Sequence, residues 1–279
     1  MSAAPASSPA TGPARQRLVL VIADGLRADV AEQAMGYLWA LVEAGLATAG
    51  RYRCALPSIS RPLYATLLTG RLPVQHGIVT NDAVQHAGPT LLHDAHAAGL
   101  RSAVVAYHWF YELLSGQPFD PLRHRRALPA GAGVVDATWY FDDAYPDSHT
   151  FADAEDLRLR ADPDLLLVHP MGPDDTGHHH GGDSDAYRLC ARRLDGLLAH
   201  TVPTWHAAGY DVLLTSDHGM NRDRMHGGDE PTERAVPFVW LPQPQRPAAA
   251  AAAMLGLRLP AASTELRGFV AAHRALVAA

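Results

Sequence analysis

The chain has 279 residues, of which 48 % are hydrophobic and 19 % charged, with a net charge of −6. These values are ordinary for a globular protein with one large domain. The negative balance argues against the clustered Lys and Arg that bind a nucleic-acid duplex or an anionic membrane, and no apolar run approaches the ~20 residues of a membrane span. We therefore expect a cytoplasmic protein. The net charge says little about a small anionic substrate, because bound metal ions can invert the charge of a local site. Oligomeric state is left open.

Residues 1–16 are rich in Ala, Ser and Pro and lack the apolar core of a signal peptide, so a disordered tail is predicted there. A single domain is predicted over 17–279. Within it, short apolar runs alternate with stretches of helical spacing, which predicts an α/β fold with a largely parallel sheet. Strands are predicted at 18–23, 103–106, 165–168, 212–215 and 236–240. Helices are predicted at 31–46, 62–69, 89–98, 184–207 and 265–277, and over the alanine run 248–253.

The stretch 108–160 differs from the rest of the chain. It is rich in Pro, aromatic and charged residues and has weak periodicity. We interpret it as an insert or lid over the site.

Carboxylate and imidazole groups follow three of the predicted strands. Asp24 ends the first strand, Asp174 and His178 come shortly after the third, and Asp217 and His218 follow the fourth. Because ligands gather at the carboxyl edge of a parallel sheet, these side chains are expected to meet there.

The donor types in this group indicate metal binding. Asp174 and His178 would share one face of a helix, although the intervening Gly177 favours a turn. His226 supplies a further nitrogen near the same edge. Oxygen and nitrogen donors without thiolates suit Zn²⁺ or Mn²⁺ and do not choose between them.

Ser60 stands directly before a predicted helix, with Pro62 in its first turn. Taken alone, such a serine is more typical of a helix cap. The same position exposes it to free backbone N–H groups and the positive end of the helix dipole, which suit a phosphoryl group. No His-Asp pair nearby follows the usual triad logic, so a metal ion could activate the hydroxyl instead.

Six segments, in this order, resemble the nucleotide pyrophosphatase/phosphodiesterase branch of the alkaline phosphatase superfamily, the type I phosphodiesterases, which are related to phosphonoacetate hydrolase-like enzymes. The matching segments are Ala23-Asp24-Gly25-Leu26-Arg27, Pro57-Ser58-Ile59-Ser60-Arg61-Pro62 with Leu67-Leu68-Thr69-Gly70, His76-Gly77-Ile78-Val79-Thr80-Asn81, Pro173-Asp174-Asp175-Thr176-Gly177-His178, Ser216-Asp217-His218-Gly219-Met220 and His226-Gly227-Gly228. They cover most of residues 18–240. The first segment is a weak signal by itself, whereas the fourth and fifth together are specific.

The resemblance implies a compact, alkaline-phosphatase-like three-layer α/β/α fold with two divalent ions, Zn²⁺ in the first place and Mn²⁺ as the alternative. One ion would be held by Asp24, Asp217 and His218 and would also contact Ser60. The other would be held by Asp174, His178 and His226. Ser60 stands where the family has its Ser or Thr nucleophile, and Asn81 where an Asn binds a phosphoryl oxygen.

The implied reaction is hydrolysis of a phosphodiester or phosphoanhydride through a phosphoserine on Ser60, with two ions about 4 Å apart clamping the attacking and leaving oxygens. One departure from the family pattern bears on the substrate of this reaction. Only seven residues separate His218 from His226, where larger members of the family have a long stretch, so their nucleotide specificity does not carry over. Arg61 is the one tempting cation for the dianion of a monoester.

Phosphomonoester or phosphonate hydrolysis at the same site is the first alternative, and an inactive metal-binding module is a distant one. The remaining polar residues near the motifs are assigned lesser roles. Arg27 and Asp175 are interpreted as salt-bridged loop charges, with orientation of ligands or substrate as the alternative. His169, His179 and His180 are interpreted as surface residues or neighbours of the ligands.

Overall fold

The computed structural model of the chain describes residues 17–82 and 84–244. The predicted tail over 1–16 and the predicted helices over 248–253 and 265–277 lie outside the described residues. No helix in the described ranges is long and apolar enough to cross a membrane.

Seven strands form one mixed sheet in the order β2-β7-β6-β1-β5-β3-β4. The strands are β1 (Arg17–Ile22), β2 (Thr48–Arg53), β3 (Ser102–Tyr107), β4 (Val134–Tyr140), β5 (Leu165–Val168), β6 (Tyr210–Thr215) and β7 (Ala235–Leu241). The pairs β6-β1, β1-β5, β5-β3 and β3-β4 are parallel, and only β7 pairs antiparallel, with β6 and β2. The predicted α/β class with a largely parallel sheet is confirmed.

Helices cover both faces of this sheet, which gives three layers. The helices are α1 (Ala28–Ala34), α2 (Gly36–Glu43), α3 (Ser60–Thr69), α4 (Pro73–His76), α5 (Leu91–Ala97), α6 (His108–Ser115), α7 (Pro121–His124), α8 (Asp147–Ala161), α9 (Gly172–His180), α10 (Asp185–Ala207) and α11 (Pro231–Arg234). Buried residues of α3, α5 and α6 pack on one face, and those of α1, α2, α8 and α10 on the other.

The central strand β1 shows why its sequence is apolar throughout. Leu18, Leu20 and Ile22 point into the core under α3, while the alternate residues Val19 and Val21 point into the core under α10. A strand covered on both faces has no solvent side, so its sequence lacks the polar alternation of a surface strand. The same burial makes the carboxyl end of β1 a rigid support for the loop after it.

The region 108–160 differs from its interpretation as an insert or lid. Its strand β4 extends the central sheet by pairing with β3, and α8 packs against β3, β4 and β5. Trp139 is fully buried in the core, but Asp136 and Thr138 interrupt the apolar pattern around it. An edge strand needs few apolar positions, which is why its periodicity is weak.

Two smaller differences concern the first half of the chain. The helix predicted at 31–46 is two helices, α1 and α2, separated at Met35. The edge strand β2, which is half exposed and carries Arg51 and Arg53, was not predicted.

Candidate active site

The loops after β1, β5 and β6 meet at one edge of the sheet, because these three strands are parallel neighbours. The loop after β1 lies against the start of α9. A Cβ at Gly25 would stand 2.8 Å from the Cα of Asp174, and the φ of Gly25 is +67°, so only glycine fits this approach. The structure therefore confirms that the loops after these strands lie next to one another at one edge of the sheet.

The first of two carboxylate–histidine groups is the buried triad, formed by Asp24, Asp217 and His218. His218 Nε2 lies 3.4 Å from Asp24 Oδ1 and 3.3 Å from Asp217 Oδ2. All three residues are at most 1 % exposed. The backbone N–H of Gly25 donates to Asp217 Oδ1 at 3.1 Å, which ties the loop after β1 to the loop after β6.

The second group is the open triad, formed by Asp174, His178 and His226. Asp174 Oδ2 lies 3.5 Å from His178 Nε2, and Asp174 Oδ1 lies 3.6 Å from His226 Nε2. The side chain of His178 is 41 % exposed. The ring of His226 stacks on that of His218 with 3.7 Å between centroids, so the two triads adjoin.

Asp174 and His178 both belong to α9, one turn apart. The turn favoured by Gly177 is therefore wrong, and the helical alternative holds. Gly177 is needed for packing instead: a Cβ there would stand 2.7 Å from Met220 Cγ, the residue after the Asp-His-Gly segment. The close contact of α9 with this segment brings the two triads together.

The three histidines of the triads turn the same ring nitrogen towards the site. The Nδ1 atoms of His178, His218 and His226 lie 3.0, 2.8 and 2.8 Å from the backbone carbonyls of Arg224, Gly219 and Ser58, respectively. A carbonyl only accepts, so each Nδ1 carries the proton and each Nε2 of the neutral ring presents a lone pair. Such an outer hydrogen bond is the usual support of a metal-ligating histidine.

The Nε2 atoms of His178 and His226 then face each other at 3.1 Å with no proton between them. The carboxylates show a matching deficit, because Asp24 Oδ1, Asp174 Oδ1 and Asp217 Oδ2 are buried without a hydrogen-bond partner. Burial raises the pKa of Asp174 and Asp217 well above the usual range and lowers that of His218 well below it. Lone pairs and unpaired carboxylates in one buried space fit two cations and are costly without them.

Ser60 is the first residue of α3 and lies against the buried triad. Its Oγ is 3.0 Å from His218 Nε2, and the residue is 5 % exposed. The N-cap of α3 is Ile59, and Ser60 makes no capping hydrogen bond. Ser60 is therefore not the cap of α3, and its hydroxyl lies beside the buried triad.

Asn81 comes to the same helix end from the loop after α4. Its Oδ1 accepts a hydrogen bond from the backbone N–H of Arg61 at 3.0 Å, which leaves the amide NH₂ as the end that can donate to a ligand. His76 supports this loop, since its Nε2 lies 3.0 Å from Thr66 Oγ1 on α3 and its Nδ1 accepts from the backbone of Ile78.

The side chain of Arg61 is held away from such a role. Its guanidinium pairs with Glu112 at 2.7 Å and lies 4.7 Å from the ring centre of Trp109. Both partners belong to α6. Arg61 thus joins α3 to α6, and its charge is already compensated.

The other polar residues near the motifs differ in their surroundings. Arg27 is a buried salt-bridged residue, paired with Asp29 and Asp183 at 2.6 Å each. Asp175, which is partly buried on α9, lies 3.4 Å from His179. His179 and His180 are exposed, whereas His169 is fully buried, with its Nε2 3.2 Å from Asp24 Oδ2.

Sequence reasoning did not identify two supports of the site. Tyr64 donates its hydroxyl proton to Asp24 Oδ2, and Glu233 accepts from the backbone of Gly228 and from Asn221, which fixes the loop that carries His226. The position of Tyr64 four residues after Ser60, on the same helix face, was the one available signal. Glu233 gave none, because its partners are set by the fold of the loop.

The comparisons with known proteins agree with this geometry. A sequence profile of the family described as type I phosphodiesterase / nucleotide pyrophosphatase matches residues 18–233. Human GPI ethanolamine phosphate transferase 1 is 27 % identical over an alignment 275 positions long, which covers 84 % of this chain and 27 % of that protein. The chain thus spans about a quarter of the length of the curated relatives it matches.

Three solved structures share the fold. Murine ectonucleotide pyrophosphatase/phosphodiesterase 5, an inactive variant in complex with AMP, has a TM-score of 0.58 at 19 % identity over 74 % of this chain and 57 % of that one. Phosphonoacetate hydrolase from Sinorhizobium meliloti in complex with phosphonoformate has a TM-score of 0.55 at 21 % identity, with coverage of 74 % and 56 %. The periplasmic domain of EcEptC from Escherichia coli, in complex with Zn, has a TM-score of 0.58 at 14 % identity, with coverage of 85 % and 76 %.

Proposed function

The chain belongs to the type I phosphodiesterase / nucleotide pyrophosphatase family, and from that premise we propose that it hydrolyses phosphodiester or phosphoanhydride bonds through a phosphoserine formed on Ser60. One observation carries the proposal. The hydroxyl of Ser60 lies at the start of α3, 3.0 Å from His218 Nε2, beside the carboxylates of Asp24 and Asp217, each of which has one buried oxygen without a hydrogen-bond partner. A hydroxyl in these surroundings is placed to attack a phosphoryl group whose negative charge is balanced by cations at the triads.

The chain's own residues account for two displacements. The Ser60 hydroxyl gives up its proton as its oxygen forms a bond to phosphorus and the bond from phosphorus to the leaving oxygen breaks, and the departing group takes up a proton to become an alcohol or a phosphate. Water then attacks the phosphoserine, which restores the Ser60 hydroxyl and releases the phosphoryl product. The Asn81 amide donates a hydrogen bond to a non-bridging oxygen in both steps.

The two triads fit divalent cations, which would supply positive charge to lower the pKa of the Ser60 hydroxyl and stabilise charge on the phosphoryl group. Three imidazoles with three carboxylates suit both Zn²⁺ and Mn²⁺, and we propose Zn²⁺ in the first place because the family resemblance implies it. The structure of EcEptC, which has the same fold, was solved in complex with Zn, and this supports the order. Metal content after purification, and activity after reconstitution of the metal-free protein with each ion, test it.

The charge around Ser60 favours diesters over monoesters. A terminal phosphate dianion needs more positive charge than a diester monoanion. The sequence contains no lysine, and Arg61 is compensated by Glu112. The substrate we propose is therefore a small phosphodiester or phosphoanhydride.

Rates on bis-p-nitrophenyl phosphate and p-nitrophenyl phosphate test the choice, with phosphonoacetate as a third substrate. We expect the largest kcat/KM on the diester. A clear preference for the monoester or the phosphonate would move the assignment to the first alternative. No hydrolysis of any ester with either ion would leave only a metal-binding module.

A second candidate is transfer of the phosphoryl group to an alcohol in place of water. The human relative, whose alignment covers 84 % of this chain, is named a transferase, and this name favours the second candidate. Adding a small alcohol to the diester assay distinguishes the two. Hydrolysis predicts free phosphoryl product at an unchanged rate, whereas transfer predicts a new ester that grows with alcohol concentration.

A further inference from the structure

The two carboxylate oxygens of Asp24 have different surroundings. Oδ2 accepts a hydrogen bond from the Tyr64 hydroxyl and lies 3.2 Å from His169 Nε2. Oδ1 is buried, has no hydrogen-bond partner, and lies 3.4 Å from His218 Nε2. One oxygen is thus held by the protein, and the other is presented to the buried triad.

Tyr64 is placed to hold that oxygen rigidly. It is fully buried, stacks on Phe110 with 4.4 Å between ring centres and meets the edge of His169 at 4.9 Å. A buried ring packed on two sides has one orientation, so its hydroxyl has one position. With a pKa near 10 in water, a phenol donates at neutral pH.

Tyr64 also shares a helix with the nucleophile. Ser60 and Tyr64 are four residues apart on α3, and residues at this spacing lie on the same helix face. Ser60 reaches His218, while Tyr64 reaches Asp24, so one face of α3 touches two members of the buried triad.

We propose that Tyr64 is a positioning residue of the buried triad. By holding Asp24 Oδ2, it makes Oδ1 the single oxygen offered to the cation, and because it lies on α3 it fixes that cation relative to the Ser60 hydroxyl. This inference rests on the proposed function, since it assigns a role towards the ion that Ser60 requires.

His169 and Tyr140 extend the same support. The Tyr140 hydroxyl lies 2.7 Å from His169 Nδ1 and donates to the backbone oxygen of His169 at 2.6 Å. His169 is fully buried, and its ring lies next to Asp24. Tyr140 therefore holds the His169 ring next to Asp24. Removal of the Tyr140 hydroxyl would act on the buried triad indirectly, through His169.

The test compares two proteins, the His178→Ala variant and the same variant with Tyr64→Phe added. In both, only the buried triad keeps all its ligands. Metal-free proteins are titrated with Co²⁺ and followed by equilibrium dialysis and visible absorption. Loss of such an outer hydrogen bond commonly weakens metal affinity by about 10- to 100-fold, and we expect that loss with a changed Co²⁺ spectrum. Tyr210→Phe is the control, because it removes a buried tyrosine hydroxyl that bonds the Pro163 carbonyl at the far end of β6.

Equal Co²⁺ affinity and identical spectra with and without Tyr64→Phe would overturn the positioning role, and so would an equal loss in Tyr210→Phe. If Tyr64→Phe does not fold, Tyr140→Phe carries the test, with a smaller weakening expected and an unchanged affinity counting against the proposal. Failure of the proposed function looks different: the wild-type protein would bind no ion, or would bind two and cleave no ester.

Discussion

The buried triad and the open triad contain the same kinds of ligand but are built differently. Asp24 and the Asp217-His218 pair follow two adjacent parallel strands and are at most 1 % exposed. In the open triad Asp174 and His178 come from a helix and His226 from a loop, and the His178 side chain is 41 % exposed. The ligands of the buried triad are positioned by the ends of two sheet strands. Those of the open triad are positioned by helix α9 and a loop.

This difference separates the tasks of the two sites. Ser60 Oγ lies against the buried triad, where a cation would be shielded from water and its charge would act strongly on the proposed nucleophile. The open triad faces the solvent from which substrate and water arrive. We therefore expect the buried site to be the tight one and the open site to exchange.

The largest expected effect is that of Ser60→Ala. Because covalent catalysis is lost while all six triad residues remain, turnover of bis-p-nitrophenyl phosphate should fall by at least ~10²-fold with metal content unchanged. Ser184→Ala, which removes the side-chain N-cap of α10 and no triad residue, is the control. Unchanged turnover in Ser60→Ala would remove the nucleophile assignment.

His178→Asn should separate the two sites by stoichiometry. The variant loses a ligand of the open triad alone, so bound metal is expected to drop from two ions to one per chain while the remaining ion keeps its affinity within a few-fold. Elemental analysis after dialysis measures this. Asp217→Asn is the matched change in the buried triad. Loss of the same ion in both variants would contradict the assignment of one ion to each triad.

Removal of metal by a chelator should occur in two phases. The ion of the open triad leaves first because its ligand His178 is exposed, and the ion of the buried triad leaves at least about tenfold more slowly, since its ligands open only with the surrounding structure. A colorimetric chelator in a stopped-flow instrument follows both phases. A single phase would show that burial does not distinguish the sites.

The smallest expected effect concerns Asp147, which accepts from the backbone of Gly172 at the start of α9. Burial raises its pKa to about 6 from an ordinary 3.8. The folded state therefore binds the proton more tightly than the unfolded state, and this group's contribution to stability is greatest below pH 3.8 and declines as pH rises to about 6.

Asp147→Asn removes that dependence. Relative to wild type, the free energy of unfolding of the variant should rise between about pH 4 and about pH 6 by about 2 kcal/mol. Urea unfolding at several pH values measures it, and Asp185→Asn, on the first turn of α10, is the control. A constant difference across this range would mean that Asp147 does not titrate there.

The sequence predicted the central strands and the residues at their ends because both depend on short-range patterns. The apolar run before Asp24 and the one before Asp217 each indicate a strand buried on both faces, and the carboxyl ends of parallel strands share one edge. The edge strand β4 and helix α8 were interpreted as an insert or lid, since Asp136 and Thr138 break the alternation of β4.

The supports of the site could not be predicted in the same way. Tyr64 holds Asp24 across 40 residues of sequence, and His226 Nδ1 finds the carbonyl of Ser58 across 168. Nothing in the residue types selects these partners, because a hydrogen bond between distant segments depends on how helices and loops pack. The choice between turn and helix for Asp174 and His178 was likewise decided by the packing of Gly177 on Met220.

The amino-acid sequence by itself therefore determined the α/β class, the ligand types and the segments that carry them, for these come from periodicity and from the chemistry of carboxylate and imidazole. Tertiary structure alone decided which oxygen of Asp24 is left unpaired, which nitrogen of each histidine faces the site, and that one triad is buried while the other is open. Ligand identity is a property of a residue, whereas orientation and burial are properties of its neighbours.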